Sequence, residues 1–223
     1  MCYTRLSWII KSIWRQVSDW KTIIKIVLGC AVLIMVMIFG LARMSGTNTA
    51  LTVEEKKLLT GAKLIKENGE IKVTVVNFSD MECPACQRAH DMTNSLSDMP
   101  GVRVVFRHFP LSIHKYSSIT ASAVEAARLM GKGWEMIDLL YSKQDEWSGT
   151  ANINGKLMEY AASLGLDTKI FDGYLNSASV SATVREDIAL GDNLELPGTP
   201  TIFVNGEQVG ADFVVSKVNE LIK

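Results

Sequence analysis

IKVTVVNFSDMECPAC, residues 71–86, joins a β-branched apolar run to two cysteines three positions apart. The run 71–78 has the composition of a buried strand. The residues after it, 84–99, read as a helix with Pro84 in its first turn, where a missing N–H costs nothing. The pattern is therefore strand, short loop, then a cysteine at a helix start. Cys83 falls at the N-cap and Cys86 one turn further on. Unpaired amide N–H groups and the positive helix end favour an anion at Cys83, so its thiol should ionise more readily than a free one. The offset lets both sulfurs meet across one turn. Cys83 is then the attacking sulfur and Cys86 the one that resolves a mixed disulfide.

Such a pair could also hold a metal or form a structural staple. A zinc site needs about four ligands. The chain has only His90, His108 and His114 to add, and it has no second C-x-x-C. No metal site is expected. A purely structural disulfide across one helical turn closes a very small loop and gains little chain entropy. A C-x-x-C after a strand, within a βαβ pattern, reads as a redox pair.

Downstream, VRVVFRHF (102–109) is a second strand. Residues 113–193 carry apolar residues at three- and four-residue spacings and are expected to be helical. Trp134, Trp147 and the methionines at 130, 136 and 158 are core candidates there. TPTIFVNGEQVG (199–210) reads as two short strands about an Asn205-Gly206 turn, and DFVVSKVNELIK (212–223) as an amphipathic helix. The order β-α-β, helical block, β-β-α is that of an α/β thioredoxin fold with a helical insertion at about 113–193. Residues 71–223 form this domain. His108 and His114 flank FPLSI; His114 is read as structural, and His90 as an exposed surface residue.

The N-terminal part differs in kind. Arg5, Lys11, Arg15, Lys21, Lys25 and Arg43 face one acid, Asp19, whereas the rest of the chain carries an excess of acids. The formal net charge of −1 gives no reason to expect nucleic acid as a partner. Residues 26–42 contain no charge. With Ile23, Ile24 and a snorkelling Lys25 they are long enough to cross a ~30 Å hydrocarbon layer. Trp8, Trp14 and Trp20 precede the run, as interface residues do. The basic flank places residues 1–22 in the cytoplasm, a transmembrane anchor at 23–43 and the remainder outside the cell membrane. The rival reading is a cleaved signal peptide, whose apolar core of about 7–15 residues would be shorter and whose small-residue cleavage site is not evident. Residues 44–70 read as a juxtamembrane linker with one short helix starting at Thr52 and Glu55 as its capping-box partner. Of the four cysteines, Cys2 and Cys30 then lie in the cytoplasm and the membrane. Only Cys83 and Cys86 reach the oxidising side.

Several stretches together resemble the DsbA-like thiol:disulfide oxidoreductases, in particular their membrane-anchored bacterial branch. They are VVNFSDMECPAC, VVFRHFPLSIH, SAVEAARLMGKGWEMIDLLYSKQDEW, YAASLGLD, IFDGYLNS and GTPTIFVNG. The resemblance implies an enzyme that introduces disulfides into cysteine-containing exported proteins and needs no cofactor. It implies Cys83 as attacking and Cys86 as resolving cysteine, with Pro84 and Ala85 between them. Pro200 matches the family's cis-proline, and Thr199 the residue before it, which touches substrate backbone. It further implies reoxidation by a quinone-linked membrane thiol oxidase of the DsbB or VKOR-like type. One position departs from the family pattern. Asn77 stands where many members carry a buried acid that handles the proton of the second cysteine. Asp80 or Glu82, or water, would then take that proton, or turnover would be slower; the other reading makes Asn77 a satisfied polar residue of the strand. The alternatives on the same fold are a disulfide reductase or isomerase, and outside it a redox-inert chaperone or binding module.

Overall fold

The computed structural model describes residues 20–44 and 53–223, in two units, Met1–Thr49 and Ala50–Lys223. In the first, helix α1 covers Trp20–Met44. Its described apolar side chains, among them Ile26, Leu28, Leu33 and Met35, are exposed. Among the described residues no helix is long and apolar enough to cross a membrane. The expected span, 23–43, lies on α1 but runs beyond the side chains described, which are continuous only over 23–35.

The second unit is built on a five-stranded sheet of order β1-β3-β2-β4-β5. These strands are β1 (Leu64–Glu67), β2 (Val73–Ser79), β3 (Val102–His108), β4 (Thr201–Val204) and β5 (Glu207–Val209). β2 and β3 run parallel, connected by helix α3 (Pro84–Leu96); the other pairings are antiparallel. Between β3 and β4 lie α4 (Ser117–Leu129), α5 (Gly133–Ser142), α6 (Gln144–Trp147), α7 (Ile153–Ser163), α8 (Thr168–Leu175) and α9 (Ala178–Asn193). A 3₁₀ turn and α10 (Val214–Leu221) close the chain. This is the thioredoxin fold with a helical insertion that the sequence order predicts.

Period-two alternation assigns the sheet faces. Val73, Val75, Val102, Val104, Ile202 and Val204 pack against Ala89 and Leu96 of α3 and Val214 and Val218 of α10. Asn77, Ser79, Phe106 and His108 continue that same face. Val76, Phe78, Val105 and Phe203 point to the other, against Leu58 and Phe109. The insertion closes a third cluster in which Trp147, Tyr141, Leu140 and Phe171 surround Cys83, Cys86 and Phe106. Trp147 is fully buried and donates its indole N–H to Leu140 O at 2.7 Å.

The residues expected to be linker, 44–70, contribute to this body from Val53 onward. Thr52 lies outside the described residues. Helix α2 (Glu55–Leu59) buries Leu58, and β1 pairs with β3 from Leu64↔Phe106 to Glu67↔Arg103. The segment LIKE is too short and too charged to announce a strand by itself. Its burial pattern exists only because β3 offers it an edge. The hairpin between β4 and β5 turns at Asn205 and Gly206, both with positive φ, as the Asn-Gly pair predicts. Gly206 also accepts the N–H of Val53 at 2.7 Å, and a Cβ there would strike the Val53 carbonyl.

Candidate active site

Cys83 is the N-cap of α3, with extended backbone (φ −80°, ψ 120°) and Pro84 following it. Its carbonyl accepts the N–H groups of Cys86 at 3.0 Å and Gln87 at 3.2 Å. Cys83 is 7% exposed and Cys86 0%; both are free thiols. Pro84 is exposed and Ala85 half-buried, so the access side of the pair is small and apolar. The Thr199–Pro200 peptide is cis, as the resemblance implies. It stands beside the dithiol: the Cys83 thiol donates to Thr199 O at 3.6 Å. Cys83, Cys86, Thr199 and Pro200 thus come together from two distant parts of the chain.

The two thiols differ sharply in acidity. A hydrogen bond from the Cys86 thiol holds the Cys83 pKa down, to about 5 from the ordinary 9.0. Burial opposes this, and the backbone N–H groups of Cys86 and Ala85 and the Thr199 side chain assist it. Burial pushes Cys86 up, and its hydrogen bond to Cys83 pushes it further. One sulfur is therefore a thiolate at neutral pH and the other a thiol. That is the division of labour that attack and resolution require.

The acids near the pair have structural tasks. Asp80 is buried. Its Oδ1 accepts the Glu82 N–H at 2.8 Å and the Ser117 hydroxyl, and its Oδ2 accepts the Leu111 N–H at 2.8 Å and bonds His114 Nδ1 at 2.8 Å. Glu82 accepts the Tyr116 N–H. Both carboxylates are turned to the loop between β3 and α4 and hold it against the active-site turn. His114 is structural, as expected. Asn77, 2% exposed, sits under α3 and accepts the Ser79 hydroxyl at 3.3 Å.

His90 differs from expectation. It is 4% exposed, bonded through Nε2 to Asp138 at 2.7 Å and tilted against the Tyr141 ring at 4.8 Å. α5 covers this side of α3, which the sequence of α3 alone does not reveal. Two residues of the insertion support the site with no local signal of it. Gln144 Nε2 donates to Met81 O at 2.7 Å and Cys83 O at 3.2 Å. Tyr141 donates its hydroxyl to Asp80 O at 3.2 Å. Burial raises the Tyr141 pKa well above the phenol range, charge on Cys86 raises it further, and a hydrogen bond with Ser79 opposes them.

A helix-capping thiolate, a buried partner thiol and a cis-proline loop on this sheet define a thioredoxin-fold dithiol oxidoreductase. The thioredoxin family model Thioredoxin_4 matches residues 68–223, and the chain belongs to that family. Among solved structures it is similar to oxidised BdbD from Bacillus subtilis (22% identity, 78% of this chain and 99% of that one, TM-score 0.66). A thioredoxin-like oxidoreductase from Silicibacter pomeroyi is similar at 28% identity, over 75% of this chain and 97% of that one, with TM-score 0.62. Among curated relatives, an Na(+)/H(+) antiporter NhaA 3 of Salinispora tropica is 39% identical over 141 residues, 62% of this chain and 21% of that protein. NhaA of Herminiimonas arsenicoxydans is 31% identical over 156 residues, 69% of this chain and 24% of that protein. The chain thus spans about a quarter or less of the length of these relatives. Site and family together make the chain a thioredoxin-family protein that carries a C-x-x-C dithiol beside a cis-proline.

Proposed function

We propose that net electron flow runs from exported proteins into the Cys83–Cys86 disulfide, so that the enzyme introduces disulfides. The observation that carries this is the heightened acidity of Cys83, its pKa held down to about 5, beside an un-ionised Cys86. A stabilised thiolate lowers the free energy of the reduced enzyme and makes its disulfide a stronger oxidant. A substrate thiolate attacks Cys83 Sγ and releases Cys86. A second substrate thiolate attacks the mixed disulfide, and Cys83 leaves as the thiolate.

In this reading residues 23–43 cross the cell membrane, residues 1–22 stay in the cytoplasm and the catalytic domain lies outside. The uncharged run 26–42 and its basic flank support that placement. Similarity to a part of proteins named as antiporters supports a membrane setting as well. A quinone-linked membrane thiol oxidase of the DsbB or VKOR-like type would regenerate the disulfide. The tether would keep the domain at high effective concentration beside it.

The test is the reduction potential of the full chain, equilibrated in glutathione buffers with alkylated thiols counted by mass. A value near ~ −120 mV supports a disulfide donor. A value near ~ −270 mV reverses the direction and makes the protein a reductase.

A further inference from the structure

Helix α3 starts at Cys83 without a side-chain cap on its first amide groups, because a thiol stands where a capping oxygen would. Those amides serve the sulfur instead. The backbone N–H groups of Cys86 and Ala85 help to hold the Cys83 thiol acidic. They can do so only while the turn that leads into the helix keeps its shape. That turn, over 80–83, is closed by the Cys83 N–H to Asp80 O at 3.2 Å. Met81, 1% exposed, lies within it, and among the described residues its carbonyl receives no backbone N–H. A buried carbonyl left in this way is costly unless a side chain reaches it.

Gln144, in the insertion and 3% exposed, supplies the donor. Its Nε2 reaches Met81 O at 2.7 Å and Cys83 O at 3.2 Å. Two carbonyls about one nitrogen fix the side-chain amide, since the flipped amide would set its oxygen against both. The flanking bonds run the same way. Tyr141 donates its hydroxyl to Asp80 O at 3.2 Å, and Gln87 Nε2 of α3 returns a bond to Tyr141 O at 2.7 Å. The fully buried Trp147, bonded to Leu140 O, anchors the short helix α6 on which Gln144 stands. The ionisable groups about Cys83 are Cys86 on its own helix, Tyr141 on α5, and Asp80 and Glu82 in the turn, whose carboxylates face the loop between β3 and α4. Gln144 is neutral, so replacing it leaves every one of these charges in place. What it changes at Cys83 acts through the backbone.

We propose that Gln144 is a positioning residue of the dithiol: by holding the Met81 and Cys83 carbonyls it keeps the first amide groups of α3 aimed at the Cys83 sulfur. The insertion thereby does for this helix start what a capping side chain does elsewhere, and leaves the amides free for the thiolate. The inference rests on Cys83 as the attacking sulfur and holds for either net direction of electron flow.

The test uses the reduced full chain in detergent. Gln144→Met keeps an unbranched side chain of similar size and removes both donated bonds. Iodoacetamide labelling of Cys83 is followed against pH, with the alkylated peptide identified by mass. The midpoint should rise from about 5 by about one pH unit or more, a tenfold change in the ionisation constant. A Gln144 that only fills space would lower the melting temperature and leave the midpoint where it is in the wild type. That result overturns the proposal, as does a midpoint that falls. If Gln144→Met does not fold, nuclear magnetic resonance of the wild type decides. The side-chain amide of Gln144 should titrate together with Cys83, at about pH 5, while that of Gln208 on β5 stays level. A level Gln144 amide overturns the proposal. A reductase-like potential would reverse the electron flow proposed above and leave the midpoint shift standing. A wild-type Cys83 that stays un-ionised up to about pH 9 would overturn both.

Discussion

At the scale of single residues, Cys83 and Cys86 are chemically alike and are separated only by their surroundings. Because the Cys86 hydrogen bond is the largest influence on Cys83, replacing Cys86 with Ala should raise the midpoint of Cys83 alkylation from about 5 toward the ordinary thiol value. Rates of iodoacetamide labelling against pH measure this directly; an unmoved midpoint would assign the effect to the helix terminus instead. Linkage gives a second expectation. The folded pKa of Cys83 lies below its unfolded value, so its contribution to the stability of the reduced protein is complete above the unfolded value of 9.0 and is lost as pH falls through about 5. The melting temperature of the reduced wild type, relative to that of Cys83→Ser, should therefore fall between pH 8 and pH 5. A constant difference would contradict a depressed Cys83.

At the scale of elements, the insertion is locked to the sheet by a buried ion pair. Arg107 on β3 bonds Asp187 on α9 at 2.6 Å, and its remaining N–H groups reach Leu58 O and Thr60 O at 2.7 and 2.6 Å. Asp187→Ala leaves a buried guanidinium without its counter-charge, and a loss of about 3–5 kcal/mol in denaturant unfolding is expected. Asp167 caps α8 through the N–H groups of Lys169 and Ile170 at 2.9 and 3.0 Å. Asp167→Ala should cost ~1 kcal/mol and leave exchange kinetics unaltered, since that cap lies on an exposed helix start. Sequence legibility follows the same distinction. α3 announces itself through Pro84 and β2 through its β-branched run. β1 does not, because four residues, two apolar and two charged, become a strand only when β3 pairs with them. His90 carries no mark of burial in its own helix, because Asp138 and Tyr141 cover it from α5.

At the scale of the whole molecule, the chain joins a helix over 20–44 to an oxidoreductase domain, and the proposed anchor makes a plain prediction. The full chain should stay with the membrane fraction after alkaline carbonate washing, and a chain lacking residues 23–43 should be released. Release of the full chain would remove the tether from the reading.

Several things followed from sequence alone: the dithiol at a helix start, the βαβ order, the Asn205-Gly206 turn and the proline at the opening of β4. Each is set by local chemistry: residue shape, backbone restriction and hydrophobic period. The tertiary structure decided what local chemistry cannot. It brought Thr199 to Cys83 across the fold and set Tyr141 and Gln144 of the insertion around the active-site turn. It gave Asp80 and Glu82 to a loop and paired His108 with Glu125 under the active-site face. Those outcomes depend on which side chains meet after packing, and burial then sets the acidity of one sulfur against the other.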